Sequence, residues 1–566
     1  MPPSSRGRAI AGTVLLFALA TGWLLVRIYD KDIWFHMLIG REILRRGTIP
    51  GEEFYKYPLL GQPAAFHEWG FGVLSELARR TAGWPGLALL NAAVSAGAVL
   101  LVAGAALRRG ASRSAVVSLL GPLALVASFR FQYRPETMLY LALGATLCVL
   151  EAGRWLVLPG LTLGLALFHP SPLILLLVGG AYALDAAVED RRANPRLFRI
   201  AGLLGLSAAS VALAPYGLHQ LTLPIEFVRR GDLTKVIAEF KPALQTEYRT
   251  HVVAVAIAGT LGVVFNPRRR ASDVLLLAFF GYLAFAHVRN VALFALVAFG
   301  PASMALTRGF ARLPSRVGMG GAWASLAAAT ALFLRSPEWG WKPYSDIFPS
   351  GTADFILAHR PPGRIVNEMR NGGYLAWRLH PDYLVSVDGR TYYGQDLPME
   401  LSGRVLNAEP GWRETVDRYG VTMVATSPVN FMSGELPRAI FELDRDPAWM
   451  AVVADVSGVL FVRRGAVDEH LALPRERVWL RVRQVADELA PLMPQSPGVF
   501  LTQGMASFRL RDFQRAARDF VRYGQLVPED RATAALGRLL LDAVAGDRAA
   551  MESVEALYAR SMQPGR

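Results

Sequence analysis

The stretch GLALLNAAVSAGAVLLVAGAALRRGASR, residues 86–113, carries no charged side chain before Arg108 and then ends in three arginines. A helix of about 20 apolar residues spans the hydrocarbon core of a bilayer. Lysine and arginine collect in the loops on the cytoplasmic side of the membrane. The stretch therefore predicts a membrane-spanning helix that reaches the cytoplasm at its basic end.

Further apolar segments recur from residue 9 to residue 335, and the loops between them follow the same rule. With Arg6 and Arg8 inside, every second loop is basic, which predicts about eleven spans, a cytoplasmic N-terminus and an extracytoplasmic C-terminal region. Two segments are shorter than a full crossing needs, so the count carries a margin of two. The basic loops are residues 108–113, 151–154, 189–199, 266–270 and 307–316.

The composition also indicates an integral membrane protein. Of the 566 residues, 52% are hydrophobic and 19% are charged, whereas a soluble domain carries about 25% charge. The formal net charge of +14 is largely explained by the cytoplasmic loops, which excludes nucleic acid as a partner. The single cysteine, Cys148, excludes a disulfide framework and a cysteine-rich metal site.

The composition changes after Arg335, which predicts three domains. Residues 1–335 form the transmembrane domain, and residues 336–464 alternate β-like and helical stretches, as in a small extracytoplasmic α/β domain. Residues 465–566 are predicted to be helical and soluble. Gly504, Ala516 and Pro528 have the spacing of a tetratricopeptide repeat, so this tail is a candidate surface for a protein partner.

The loop at residues 29–85 has helical periodicity of its own. Apolar and basic residues alternate at helical spacing from Asp32 to Arg46, where Gly47 and Pro50 stop the pattern. A second such stretch covers residues 64–80. Both are predicted to be helices that lie in the membrane interface with one face in lipid.

Ionisable side chains gather at the predicted outer ends of the spans. Such residues are costly near a bilayer, so their convergence on one side indicates a functional site. The candidates are Asp30, Asp32, His36, His67 and Glu68 in the first loop, and Arg134, Glu136, His169, Glu239, His287 and Arg289 in later loops.

Structural roles compete with functional ones for several candidates. Asp32 suits the N-cap of the first loop helix, Glu239 and Arg289 could form a lone ion pair, and Arg134-Pro-Glu136 could simply start a span. Asp30 precedes the cap position and has no evident structural task. It is therefore the strongest functional candidate.

A first span that ends in an acidic pair, followed by a long loop of two interfacial helices, many more spans and an outer domain, resembles the GT-C glycosyltransferases. The stretch DKDIWFHMLIGREILRRGTIPGEEFYKYPLLGQPAAFHEW, residues 30–69, resembles the opening loop of a bacterial group of GT-C-like proteins. GRIVNEMRNGGYLAWRLHPDYLVSVDGRTYYG, residues 363–394, is similar to their outer domain. The resemblance covers most of residues 1–464.

The resemblance implies inverting transfer of a sugar from a polyprenyl-phosphate donor to a glycan, lipid or protein acceptor, outside a bacterial inner membrane. In GT-C enzymes an acidic residue of the first outer loop is catalytic. It matches Asp30, with Asp32 adjacent, and Asp30 would act as general base. Residues that would bind the substrate or stabilise the donor phosphate are His36, His67, Glu68, Arg134, Glu136, His169, Glu239 and Arg289.

Three questions stay open at this point. Asp32, His67 and Glu68 would either hold a divalent cation, Mg²⁺ or Mn²⁺, or orient the acceptor. In the outer domain, NGGY and VDGR are typical of turns, but their side chains could instead line an acceptor-binding face. Other function classes are a flippase of lipid-linked glycan, which the nearly apolar spans disfavour, and a non-catalytic assembly protein. The outer-domain side chains concerned are Asn367, Tyr374, Asp388 and Arg390.

Overall fold

A computed structural model describes residues 5–189, 195–229, 237–266, 269–312, 314–390 and 396–563. The chain divides into two compact units. The first comprises residues 1–50 and 65–343, and the second comprises residues 51–64 and 344–566. A short piece of the first predicted loop thus belongs to the second unit, which the sequence pattern does not indicate.

The first unit is helical. Each of the apolar segments predicted as a span coincides with a helix, and five described helices are long and apolar enough to cross a membrane. The span count of eleven stays a prediction. The helices are α1 (Ser5–Trp23), α2 (Ile33–Arg46), α3 (Trp69–Arg109), α4 (Arg113–Ala127), α5 (Glu136–Glu151), α6 (Leu158–Phe168), α7 (Leu173–Glu189), α8 (Pro195–Ser210), α9 (His219–Arg229), α10 (Arg249–Val264), α11 (Ala271–Ala286), α12 (Val291–Phe310) and α13 (Ser315–Leu334).

Helix α2 confirms the prediction of a helix in the first loop. It ends at Gly47, which has a φ of 73°, a left-handed conformation that glycine adopts without strain. The second predicted helix begins only at Trp69 and runs on into the span as α3. Ala82 and Gly83 are non-helical, and Pro85 follows, so a kink separates the amphipathic first part of α3 from its apolar part.

Two glycines bring α2 and α3 into backbone contact. A Cβ atom on Gly40 would lie 2.1 Å from the carbonyl oxygen of Gly72, and one on Gly72 would lie 2.4 Å from the carbonyl oxygen of His36. Neither distance is possible for a real side chain. The contact holds α2, and with it the residues that precede its first turn, against the start of α3.

We expect Gly40→Ala to lower the melting temperature of the full chain in detergent. The added methyl group must push the helices apart, and overpacking of this kind costs about 1–3 kcal/mol. Gly164→Ala is the matched control, because Gly164 lies inside α6 with nothing within 4 Å of its Cβ position. Equal melting temperatures for the two variants would contradict the proposed contact.

The second unit contains a four-stranded sheet in the order β1-β2-β4-β3. β1 and β2 are parallel, and the other neighbours are antiparallel. The helices between β1 and β2 provide the crossover that parallel strands require. The elements are β1 (Arg364–Asn367), β2 (Val421–Thr426), β3 (Trp449–Ala454), β4 (Val459–Arg463), α14 (Ser350–His359), α15 (Met369–Leu379), α16 (Asp396–Leu406), α17 (Trp412–Arg418) and α18 (Arg438–Arg445).

Residues 383–390 are one of the β-like stretches of the predicted α/β domain, but they form no strand. Val385 makes only an isolated bridge with Lys56, because its backbone hydrogen bonds go to Tyr55 and Tyr57 of the loop piece that joins this unit. NGGY is not a turn either, since Gly372 and Gly373 lie inside α15. A Cβ atom on Gly372 would lie 1.8 Å from the carbonyl oxygen of Val387, so glycine is needed there for close packing.

Asp388 is the centre of a buried ionic network within the second unit. Its carboxylate accepts hydrogen bonds from the Tyr55 hydroxyl, from Lys56 Nζ at 3.1 Å and from Arg390 Nε at 2.9 Å. Glu53 pairs with both Lys56 and Arg390. Burial disfavours the charged form, but Arg390 and Lys56 hold the pKa of Asp388 well below its usual range. These bonds favour a structural role for Asp388 over an acceptor-binding one.

We expect Tyr55→Phe to destabilise the second unit by about 1–3 kcal/mol, because it leaves a buried carboxylate short of one donor. Tyr383→Phe is the control, since the Tyr383 hydroxyl donates to a backbone carbonyl, that of Pro361, from a half-buried position. Thermal unfolding of the full chain measures both. If Tyr55→Phe lowers the stability no more than Tyr383→Phe does, the structural role of the network is contradicted.

The C-terminal part of the second unit is helical, as predicted. α19 (Arg475–Leu489) packs Val478, Trp479 and Val482 into the core beneath the sheet. Four helices of similar length follow and share a smaller core around Phe520. Their assignment to tetratricopeptide repeats stays a prediction. They are α20 (Pro497–Arg509), α21 (Phe513–Leu526), α22 (Arg531–Val544) and α23 (Arg548–Ser561).

Candidate active site

The segment between α1 and α2 is fixed by pairing with residues 338–343. Val26 forms an antiparallel bridge with Trp339, and Ile28 forms a parallel bridge with Pro343. The Tyr133 hydroxyl donates to the carbonyl oxygen of Val26 at 2.5 Å. These contacts set the position of Asp30, two residues further on.

Asp30 is buried and has two partners. One carboxylate oxygen accepts a hydrogen bond from the backbone N–H of Asp32 at 2.7 Å, and the other accepts one from Arg134 Nε. The expectation that Asp30 has no structural task is therefore wrong. It organises the turn into α2 and anchors Arg134.

Asp32, in contrast, lacks the structural role that the sequence predicted for it. It stands at the N-cap position of α2, but its own backbone is helical and its side chain makes no capping hydrogen bond. The predicted capping role is thus wrong. The carboxylate lies 3.3 Å from Arg134 Nη2 and is 31% exposed, whereas that of Asp30 is fully buried. Asp32 is the acid of this pair that an incoming molecule can reach.

Arg134 joins three carboxylates. Besides Asp30 and Asp32, it binds Glu239 through Nη1. Glu239 lies in a short helical turn that is held by the next loop: Val288 N–H donates to the Lys241 carbonyl at 3.0 Å. Residues more than a hundred positions apart thus converge on one guanidinium group.

A second set of pairs adjoins the first. Arg130 contacts Glu136 and Glu239, each at 3.0 Å, and Arg289 binds the other oxygen of Glu136. The prediction of a lone pair between Glu239 and Arg289 is therefore wrong, because each has a different partner. Pro135 occupies the cap position of α5, and Glu136 is its first residue, with its carboxylate in the cluster.

We call these seven side chains the acidic cluster: Asp30, Asp32, Glu136, Glu239, Arg130, Arg134 and Arg289. With all groups ionised, four carboxylates face three guanidinium groups. Burial raises the pKa of Asp32 to about 7, although Arg134 opposes the shift. Burial alone would also raise the pKa of Glu239, but the positive charges of Arg130 and Arg134 outweigh this effect and lower the pKa to about 2. Of these two carboxylates, Asp32 is therefore the one that takes up a proton near neutral pH.

His36 and Glu68 form a pair beside the cluster. His36 Nε2 lies 3.8 Å from Glu68 Oε2, and both residues are held by the contact between α2 and α3. Burial raises the pKa of Glu68 to about 8, and the charges of Glu136 and Asp32 raise it further. Glu68 thus carries a proton at neutral pH and is a hydrogen-bond donor.

The remaining candidate histidines lie in different places, with His287 Nδ1 2.8 Å from the carbonyl oxygen of Phe240. His169, buried after the end of α6, senses the charges of Glu136 and Arg289, and burial lowers its pKa to about 4. Its Nδ1 has no hydrogen-bond partner in the described part of the chain, which suits it to bind a ligand. His67 packs against Tyr216, with ring centroids 4.4 Å apart.

The residues predicted to hold a divalent cation do not fit one as they are arranged. Asp32 faces Arg134 and Glu68 faces His36, so the two carboxylates have separate partners. No group of three or more His, Cys, Asp or Glu side chains in the described ranges is arranged to bind a metal ion. The positive charge among the carboxylates of Asp30, Asp32 and Glu239 is supplied by the guanidinium group of Arg134.

Arg130 is the member of the acidic cluster that sequence reasoning missed. It opens the same stretch, RFQYRPE, that supplied Arg134 and Glu136. Its spacing of four residues from Arg134 was the available signal, and in the structure both arginines reach Glu239.

Comparison with known proteins supports the fold. No protein-family model and no curated protein matches the sequence. The structure is similar to the oligosaccharyltransferase of Archaeoglobus fulgidus in its apo form, with a TM-score of 0.55 and 12% identity over 74% of this chain and 69% of that one. It is also similar to the same organism's oligosaccharyltransferase AglB in complex with an inhibitory peptide and a dolichol-phosphate, with a TM-score of 0.56 and 12% identity over 92% and 86% of the chains. At this identity the likeness establishes a shared fold.

Proposed function

We propose that the chain is a membrane glycosyltransferase that moves a sugar from a polyprenyl-phosphate donor to an extracytoplasmic acceptor. The observation that carries the proposal is the acidic cluster, in which the partly exposed carboxylate of Asp32 lies beside Arg134 in a network of four carboxylates and three arginines. The cluster occurs on a fold shared with a protein whose structure is known in complex with an inhibitory peptide and a dolichol-phosphate. The bacterial inner membrane and the outward orientation remain part of the proposal.

The arginines suit the donor. When a polyprenyl phosphate leaves the anomeric carbon, negative charge develops on a phosphate oxygen, and guanidinium groups in a water-poor site stabilise it strongly. Arg289 is 27% exposed and bound on one side to Glu136, so its position is set before the donor arrives. We assign the donor phosphate to Arg289, with Arg134 as its neighbour.

Asp32 suits the acceptor. The acceptor hydroxyl oxygen attacks the anomeric carbon, the bond from that carbon to the phosphate oxygen breaks, and the hydroxyl proton passes to a base. A base works best when its pKa lies near the operating pH, and burial raises the pKa of Asp32 to about 7. We therefore assign the base to Asp32. Asp30, whose two oxygens are already bonded, is a positioning residue for Arg134.

Protonated Glu68 and neutral His169 complete the proposed site. Each presents a polar atom beside the acidic cluster without adding charge to it. A sugar hydroxyl can both donate and accept a hydrogen bond, so these two groups can bind it. We assign both residues to sugar binding. His36 holds Glu68 in place.

The test is a transfer assay with the full chain in liposomes. Polyprenyl phosphates carrying labelled hexoses or pentoses are supplied with a membrane extract as acceptor. We expect label to appear in a product that lacks the polyprenyl chain. Label that changes leaflet while still attached to the polyprenyl phosphate would instead indicate a flippase. If every donor tested stays intact and on its original side of the membrane, the proposed function is refuted.

A further inference from the structure

The sequence motif Glu-x-x-Arg-Arg occurs three times in the first unit, and two of its copies lie on helices that pack against each other. These two are EILRR at residues 42–46 of α2 and ELARR at residues 76–80 of α3, and the third is at residues 226–230. The arginines of the α2 copy lie away from Asp32. Asp32 and Arg45 are 13 residues apart, which along a helix is about 20 Å.

The two copies have the same geometry. The carboxylate of Glu42 accepts hydrogen bonds from Arg45 Nε at 2.9 Å and Arg45 Nη2 at 2.6 Å, and from Arg46 Nε at 2.5 Å. Glu76 accepts from Arg79 Nε and Nη2, both at 2.9 Å, and from Arg80 Nε at 2.8 Å. In each copy a buried glutamate fixes two arginines that point outward.

The surface that these two motif copies form with Arg41 carries an excess of positive charge. Five arginines and two glutamates leave +3, and Arg41 of α2 lies close enough to Arg79 and Arg80 to be affected by their charges. Arg45 is 66% exposed and Arg80 is 45% exposed. We call Arg41, Arg45, Arg46, Arg79 and Arg80 the arginine patch. Like charges gathered in this way repel each other, and the two glutamates offset only part of that repulsion.

The arginine patch is placed at the level of lipid headgroups. The apolar part of α3 begins just after Arg80, at the kink before Pro85. Trp84 lies there, with the Arg79 guanidinium 6.0 Å from its ring and Trp34 in edge contact at 5.5 Å. Tryptophan is enriched at the membrane–water interface. The predicted topology puts this loop outside, where the positive-inside rule explains no arginine cluster.

We propose that the arginine patch binds the phosphate of an anionic phospholipid of the bilayer. The guanidinium fork matches phosphate geometry and charge. The distance from Asp32 separates this phosphate from that of a reacting donor. Lipid binding at the patch does not depend on the proposed transfer reaction. The bound lipid would anchor α2 and the first part of α3 at the membrane surface.

The test is a binding titration of the detergent-purified full chain with phosphatidylglycerol, read by native mass spectrometry. Each arginine near a membrane surface contributes about a fivefold factor in binding. We expect Arg45→Gln/Arg46→Gln/Arg80→Gln to weaken binding on the order of a hundredfold, and the corresponding triple lysine variant to retain most of it. Arg45→Gln alone, a change at an exposed side chain, should cost about fivefold.

The matched control is Arg360→Gln/Arg413→Gln/Arg548→Gln, which removes three exposed, carboxylate-paired arginines from the second unit. It should bind phosphatidylglycerol as the wild type does. Phosphatidylcholine should bind all variants weakly, and millimolar inorganic phosphate should not compete. Undiminished binding by the triple glutamine variant, an equal loss in the control, or displacement by inorganic phosphate would each overturn the proposal.

Discussion

Asp32→Asn is expected to abolish most sugar transfer, with a loss of about 10²- to 10⁴-fold in turnover. The amide cannot accept the proton of the acceptor hydroxyl. Folding should survive, because the side chain makes no capping bond and is 31% exposed. Donor binding should also survive, since the arginines stay in place. Initial rates at matched protein levels in liposomes measure the effect.

The pH dependence identifies the base. Asp32 accepts a proton only when ionised, so wild-type activity should rise with pH through a pKa of about 7. The ascending limb should disappear in Asp32→Asn. It should remain in Asp30→Asn, at a lower rate, because that variant disturbs Arg134 but leaves the base. Glu247→Gln, a change at an exposed acid of a later loop, is the control and should behave as wild type.

Arg134→Gln is expected to lose both stability and activity. Removal of one partner from a buried ionic network costs about 3–5 kcal/mol, and here Asp30, Asp32 and Glu239 all lose a cation. The melting temperature in detergent and the transfer rate should both fall sharply. Arg134→Lys keeps the charge but lacks the guanidinium fork that reaches three carboxylates. Its melting temperature and transfer rate should therefore lie between those of the wild type and Arg134→Gln.

The same variant shifts the pH profile in a defined direction. Arg134 lowers the pKa of Asp32 against the effect of burial. Without it, Asp32 would bind its proton more tightly, and any residual activity should rise at a higher pH than in the wild type. A melting temperature and pH profile unchanged in Arg134→Gln would show that the guanidinium group does not hold the acidic cluster together.

Much of the fold follows from local sequence patterns. The apolar periodicity from Asp32 to Arg46 and the glycine after it predict α2, because helix faces and helix ends depend on neighbouring residues. The apolar segments coincide with helices for the same reason. The membership of residues 51–64 in the second unit was not predictable, because their partners lie more than 300 positions away.

The candidate site could be located from the sequence, but its internal roles could not. Ionisable residues at one end of the spans indicated which side chains meet. The assignment of Asp30 and Asp32 depends on Arg134, which is 104 positions from Asp30. No periodicity encodes that contact. The structure instead distinguishes the two acids by burial and by the number of bonds each carboxylate makes.

The most direct measurement is the initial rate of labelled-sugar transfer from polyprenyl-phosphate donors by wild type and Asp32→Asn, side by side in liposomes at pH 8. At this pH the wild-type carboxylate is ionised. We expect transfer by the wild type and a rate at least a hundredfold lower in the variant. Transfer by Asp32→Asn at the wild-type rate would contradict it.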